Sequence, residues 1–152
     1  MIVEIKTADA SAEVRRLIEN AGAAARVLVG AFDDAAIAPF RGTAIAHSAS
    51  RRELVRLFAR ALLPGSPSRL PYQALAIPPR TRGVPIPVMR MAGMARHAGA
   101  TTHVWTVDDP AQARRYLAGA VNGIITNDPA AILASAGRTA AARANHTLSP
   151  VA

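Results

Sequence analysis

Val27-Leu28-Val29-Gly30-Ala31 is an unbroken apolar run of strand length, with no polar residue on either alternating face. A half-exposed strand alternates apolar and polar residues; one without alternation is covered on both sides, as in parallel sheets wrapped by helices. Working outward from that run, strand-like and helix-like segments take turns along the chain. Upstream lies a first strand, Ile2-Val3-Glu4-Ile5-Lys6. Residues 11–21 then read as a helix, with Ser11 as N-cap and Val14, Leu17 and Ile18 on one face. Downstream, a helical turn over residues 34–40 precedes a third strand over 43–46. Residues 50–63 form a strong helix with Leu54, Phe58 and Leu62 at spacings of four.

Pro64-Gly65-Ser66-Pro67-Ser68 breaks that helix as a loop. A fourth strand covers residues 73–77, and residues 79–87 read as a loop rich in proline and arginine. A helix over 88–97 stops at Gly99, and the fifth strand covers 102–107. The helix over 109–118 carries Pro110 in its first turn, where proline is favoured. The sixth strand covers 121–126 and a last helix 129–136. From Gly137 the chain is polar and alanine-rich, so residues 137–152 are expected to be a disordered tail after one domain over 1–136.

Six βα units in series imply a parallel sheet with helical crossovers. Two architectures satisfy them, an open doubly wound sheet and a barrel of the (β/α)8 type. No glycine-rich loop follows the first strand, which weakens the nucleotide-binding form of the open sheet.

Composition narrows the function classes. At 152 residues, 51% hydrophobic, the chain can bury a core and is no disordered polymer. It has no apolar stretch of about 20 residues and no basic-then-apolar leader, so no membrane span is expected and the cytoplasm is the default location. Without cysteine it has neither disulfides nor thiolate metal sites. The charge of +8 raises nucleic-acid binding as a reading. The arginines are scattered, however, and at 4% aromatic residues no stacking platform interleaves with them. A solvated basic surface is the simpler account, and no nucleic-acid partner is expected.

Of the 18 basic residues only Lys6 is a lysine; the other 17 are arginines. An ammonium is a compact point charge that fits against one oxygen where a planar guanidinium does not. Strand alternation puts Glu4 and Lys6 on the same face. A carboxylate and an ammonium side by side point to a site for a metal and a phosphate; an ordinary exposed ion pair on a surface strand is the other reading.

Two later segments give the arrangement a family likeness: His103-Val104-Trp105-Thr106-Val107, with the sole tryptophan, and Asn122-Gly123-Ile124-Ile125-Thr126-Asn127-Asp128-Pro129. With Val3-Glu4-Ile5-Lys6 and Gly30-Ala31-Phe32-Asp33, their order resembles the glycerophosphodiester phosphodiesterases over roughly residues 1–135. In that family a strand ending Glu-x-Lys is followed by one ending near Ser-Phe, then by Trp-Thr-Val and by Gly-Val-Asp-Gly-Ile-Thr-Asp-x-Pro. The resemblance implies a (β/α)8 barrel with its chemistry at the C-terminal strand ends. It implies Glu4 as ligand of a divalent metal, Ca2+ or Mg2+, Lys6 as phosphate contact, and Trp105 with Phe32 as lining of the glycerol side. The implied reaction is hydrolysis of a glycerophosphodiester to an alcohol and glycerol 3-phosphate, in lipid-head-group catabolism.

The departures are equally definite. The family's pattern opens with a His-Arg-Gly strand and a Pro-Glu-Asn-Thr segment, then a Glu-x-Asp strand and a His-Asp turn, and none of these occurs here. They carry the acid–base histidines and most metal carboxylates. The expected fold is therefore an incomplete barrel of about six βα units, third to eighth, lacking the first two strands. No catalytic residue is assigned, and the chain alone is expected to be a truncated hydrolase domain with little or no turnover. A non-catalytic phosphate-binding or interaction module on a degenerate barrel is the alternative. Ala31, Ala120, Asn122 and Asn127 replace serine, glycine, aspartate and aspartate of the pattern. His47, near a strand's C-terminal end, could face the barrel mouth, and His103 shares a strand face with Trp105. Two open parallel edges would invite self-association.

Overall fold

The computed structural model describes residues 1–138. The expected tail falls, from residue 139 onward, outside the described residues. Three strands, β1 (Ile2–Glu4), β2 (Leu28–Gly30) and β3 (Ala46–His47), form a parallel sheet in that order. Ile2 pairs with Leu28, Glu4 with Gly30, and Val29 with His47. A second parallel sheet holds β4 (Ala74–Ile77), β7 (Thr101–Val104) and β8 (Gly123–Ile124). The two sheets meet at a parallel bridge between Ser48 and Ala74, where the Ala49 N–H donates to the Ala74 carbonyl at 2.8 Å. The six strands thus run side by side in chain order, all parallel. The curved sheet is open, and β1 and β8 have no further strand beside them among the described residues.

Helices connect the strands and cover one face. They are α1 (Ser11–Asn20), α2 (Asp34–Ile37), α3 (Arg51–Ala61), α4 (Val88–His97), α5 (Pro110–Leu117) and α6 (Pro129–Ser135). Each parallel strand sends alternate residues toward this helical layer, which splits into two cores. Ile5, Val27, Val29 and Ala31 pack with Ile18, Ile37 and Phe40. Leu75, Ile77, Val104 and Val107 pack with Leu57, Met91, Met94 and Ile132. Period-two alternation leaves Glu4, Gly30, Ser48, Ala76 and Trp105 on the opposite, concave face.

Local structure departs from the sequence reading in four places. Ser11 is not an N-cap: Ala10 holds that position, and the Ser11 hydroxyl is buried without a hydrogen-bond partner. A short helical turn over Ala8–Ala10 runs straight into α1, so the chain is already helical before Ser11. The third strand sits later than residues 43–46, because Thr43 instead closes a turn, its hydroxyl donating to the Phe40 carbonyl at 2.8 Å. Leu62 is 69% exposed, and Leu57 is the aliphatic residue α3 buries. The proline-rich loop contains a hairpin of β5 (Arg80–Thr81) and β6 (Val84–Pro85). Its central residues, Arg82 (φ 47°) and Gly83 (φ 82°), both take the left-handed conformation that a two-residue hairpin turn requires.

Capping is strong where the site is built. Ser50 and Glu53 form a reciprocal capping box at α3. Glu53 also accepts from Arg41 at 2.8 Å, and the Ser50 hydroxyl donates to Asp34 at 2.6 Å. These bonds lock α2 to the start of α3. Burial works against an ionised Glu53, but the hydrogen bonds from Arg41 and Ser50 hold its pKa below the ordinary carboxylate value.

Candidate functional site

The C-terminal ends of the strands open on a pocket of about 560 Å³. Glu4, the last residue of β1, and Lys6, just beyond it, stand at one side. The Ile5 N–H between them donates to the Gly30 carbonyl at 2.8 Å, which fixes the backbone that carries both side chains. The Lys6 ammonium donates to a Glu4 carboxylate oxygen at 2.5 Å, and both side chains reach solvent, 76% and 50% exposed. The floor is made of small residues, Gly30, Ser48 and Ala76. A Cβ on Gly30 would meet the Ser48 hydroxyl at 3.6 Å, an ordinary contact.

Phe32, after β2, and Trp105, after β7, close the opposite wall. Their rings meet edge to face, with centroids 5.7 Å apart and planes at 67°. The structure thus brings Glu4, Lys6, Phe32 and Trp105 into one pocket, across strands that lie far apart in sequence.

The loops behind Trp105 are tied by a residue the sequence reading passed over. Asp108 accepts from the Thr126 hydroxyl at 2.7 Å, the Asn127 N–H at 2.8 Å and the Asn127 amide at 2.9 Å. These three bonds hold its pKa below the ordinary value. They also give Asn127 a physical reason. An aspartate there, as in the family's pattern, would set a second carboxylate against Asp108, whereas the amide donates. The signal available in sequence was Thr126-Asn127-Asp128-Pro129 itself, a turn dense in short polar side chains.

Neither strand histidine joins the site. His47 is buried, with Nδ1 3.2 Å from the Ser48 carbonyl, and does not line the pocket; it occupies the helical face with Ile45 and Ala49. His103 does share Trp105's strand face, but its ring packs over Gly123 below the pocket, and burial lowers its pKa. As for a divalent cation, Glu4 and Asp33 are the carboxylates lining the pocket, and Asp33 is engaged in capping α2 at the Ala35 N–H. Calcium takes 6–8 oxygens. Among the described residues no three acidic, histidine or cysteine side chains converge on a point. The residues present do not by themselves make a metal site.

A parallel α/β sheet whose strand ends surround an ammonium, a carboxylate and two aromatic rings is the arrangement of a barrel-type fold. The chain belongs to the glycerophosphoryl diester phosphodiesterase family, whose model matches residues 4–131. Among curated proteins no sequence matches significantly. Several solved structures share the fold. One is a Silicibacter pomeroyi protein assigned as a glycerophosphoryl diester phosphodiesterase, at TM-score 0.63 and 16% identity, covering 91% of this chain and 51% of that one. A glycerophosphodiester phosphodiesterase of Thermotoga maritima gives 0.58 and 17%, covering 90% and 57%. One from Parabacteroides distasonis gives 0.55 and 17%, covering 84% and 52%. The chain therefore spans about half the length of these neighbours, and the fold is α/β of the TIM-barrel type with its sheets open.

Proposed function

We propose that this chain is a phosphoric diester hydrolase domain of the glycerophosphodiester type, in which Lys6 binds the phosphate and Glu4 offers one carboxylate oxygen toward a Ca2+ or Mg2+ ion. The observation that carries this reading is the Lys6–Glu4 ion pair set in one pocket with the Phe32–Trp105 wall. The Glu4 carboxylate neutralises the Lys6 ammonium. A phosphodiester oxygen arriving between them gains a charge-assisted hydrogen bond from Lys6. The glycerol carbons lie against Trp105 and Phe32, orienting the ester bond across the strand ends. The six units correspond on this reading to the third to eighth of the barrel, and unpaired edges at β1 and β8 favour self-association.

Among the described residues no histidine lines the pocket, so no imidazole stands there to pass a proton to the leaving alcohol. That observation favours a second reading, a module that binds phosphodiesters without turning them over. Release of glycerol 3-phosphate from glycerophosphocholine, with Ca2+ or Mg2+ added, separates the two. Turnover abolished by Glu4→Gln or Lys6→Ala supports the hydrolase. Binding without turnover supports the module.

A further inference from the structure

Helix α3 buries Leu57 and, in part, Leu54 and Phe58 against the core. Its opposite arc carries Arg51, Arg52, Val55 and Arg56, and Leu62 and Leu63 continue the arc at the C-terminal end. The apolar members are exposed to solvent, at 61%, 69% and 58% for Val55, Leu62 and Leu63. No carboxylate lies on this arc, because the helix's one acid, Glu53, is turned inward to Arg41. Arg51, Arg52 and Arg56 have no ion pair among the described residues. Helix α1 is the contrast: Arg15 pairs with Glu19 at 2.8 Å and Arg16 with Glu13 at 2.5 Å, so its charges cancel on its own surface.

The same face adjoins the candidate site. Arg51, Arg52, Val55 and Arg56 border a shallow groove whose other wall includes Phe32 and Asp33, and both of these also line the pocket. The Arg51 N–H donates to the Phe32 carbonyl at 2.9 Å, which ties the helix start to the pocket wall. The aspartates in the groove are already engaged, Asp33 with the Ala35 N–H and Asp34 with Ser50.

We propose that the outer face of α3 adsorbs to an anionic lipid surface, with Arg51, Arg52 and Arg56 at headgroup level and Val55, Leu62 and Leu63 entering the apolar boundary. Cations interleaved with exposed aliphatic residues are what such a surface rewards, since headgroup charge and the acyl boundary lie within one helix radius. A nucleic acid would satisfy the arginines but leave the aliphatic side chains in water. Adsorption brings the pocket mouth beside the interface and does not depend on whether the pocket turns substrate over.

The test is co-sedimentation of the full chain with vesicles of phosphatidylcholine alone or with about one third phosphatidylglycerol. The chain should sediment with the mixed vesicles only and be released at high salt. Arg51→Gln/Arg52→Gln should weaken partitioning roughly tenfold or more, whereas Arg114→Gln/Arg115→Gln, which removes equal charge from α5, should change it less than about threefold. Val55→Ser/Leu62→Ser should weaken it several-fold as well. All these side chains are exposed; Arg52→Gln alone, with unchanged thermal melting, gives a second reading of the arginine effect. Equal losses from the two arginine pairs would overturn the proposal. So would absence of binding to mixed vesicles, or a face that retains DNA and is indifferent to Val55→Ser/Leu62→Ser.

Discussion

Phe32 and Trp105, carried by the second and fifth parallel strands, meet edge to face at 5.7 Å and form one wall of the pocket. Because Trp105 is the only tryptophan, its fluorescence reports that wall alone. Glycerol 3-phosphate should shift or quench its emission saturably. Phe32→Ala should red-shift the ligand-free emission and cost about 0.5–1.5 kcal/mol from the lost ring pair. An emission unaffected by both would place the tryptophan outside any binding wall.

The Arg41–Glu53–Ser50 cluster predicts a stability effect remote from the pocket. Glu53→Gln removes the ion pair and weakens the capping box, and should cost roughly 2–3 kcal/mol in denaturant unfolding. The sign with pH follows from the lowered Glu53 pKa. The unfolded chain takes up the proton first, so the contribution is full above the ordinary carboxylate range and is lost as pH falls through the folded value. Glu53→Gln should flatten that part of the acid limb.

Gly123 lies under the His103 ring, and a Cβ there would come within 2.7 Å of Nδ1. Gly123→Ala should therefore destabilise by about 1–3 kcal/mol, and His103→Ala in the same chain should recover part of the loss. Burial lowers the His103 pKa, so its contribution to stability declines as pH falls from about 6.5 toward the folded value. A non-additive double-mutant cycle checks the contact.

Asp108 predicts a local rather than a global effect. Asp108→Ala should speed amide exchange at Asn127, whose N–H it accepts, and loosen the loop after Trp105. In the native chain the same loosening should set in only as pH falls through the lowered Asp108 pKa. Unchanged exchange in the variant would show that the two loops are held by other contacts.

The unpaired edges of β1 and β8 predict association of the isolated chain. Light scattering should find oligomers; a monodisperse monomer that melts cooperatively would count against exposed parallel edges.

The parallel α/β class was legible because runs such as Val27 to Ala31 lack polar alternation, and each of the six expected strands has a counterpart, the third displaced to Ala46–His47. Positions set by tertiary contacts were not. Ser11 has N-cap chemistry, but the turn over Ala8–Ala10 makes the preceding backbone helical already. The Arg82-Gly83 turn was hidden because arginine seldom adopts positive φ. At the site, alternation along the first strand placed Glu4 and Lys6 together. Asp108 was illegible because its partners, Thr126 and Asn127, become neighbours only when the fifth and sixth strands pair. His47 misled for the converse reason. Its position near a strand end was read correctly, but the strand's register turns the imidazole to the helical face.

Whether Lys6 holds the phosphate of a glycerophosphodiester is decided by calorimetric titration of glycerol 3-phosphate into the wild-type chain and Lys6→Ala. Loss of one charge-assisted contact is worth about 1.5–3 kcal/mol, so affinity should fall roughly 10- to 150-fold in Lys6→Ala while thermal stability is retained. Equal affinity in the two chains, or no binding to the wild type, would rule out Lys6 as the phosphate contact.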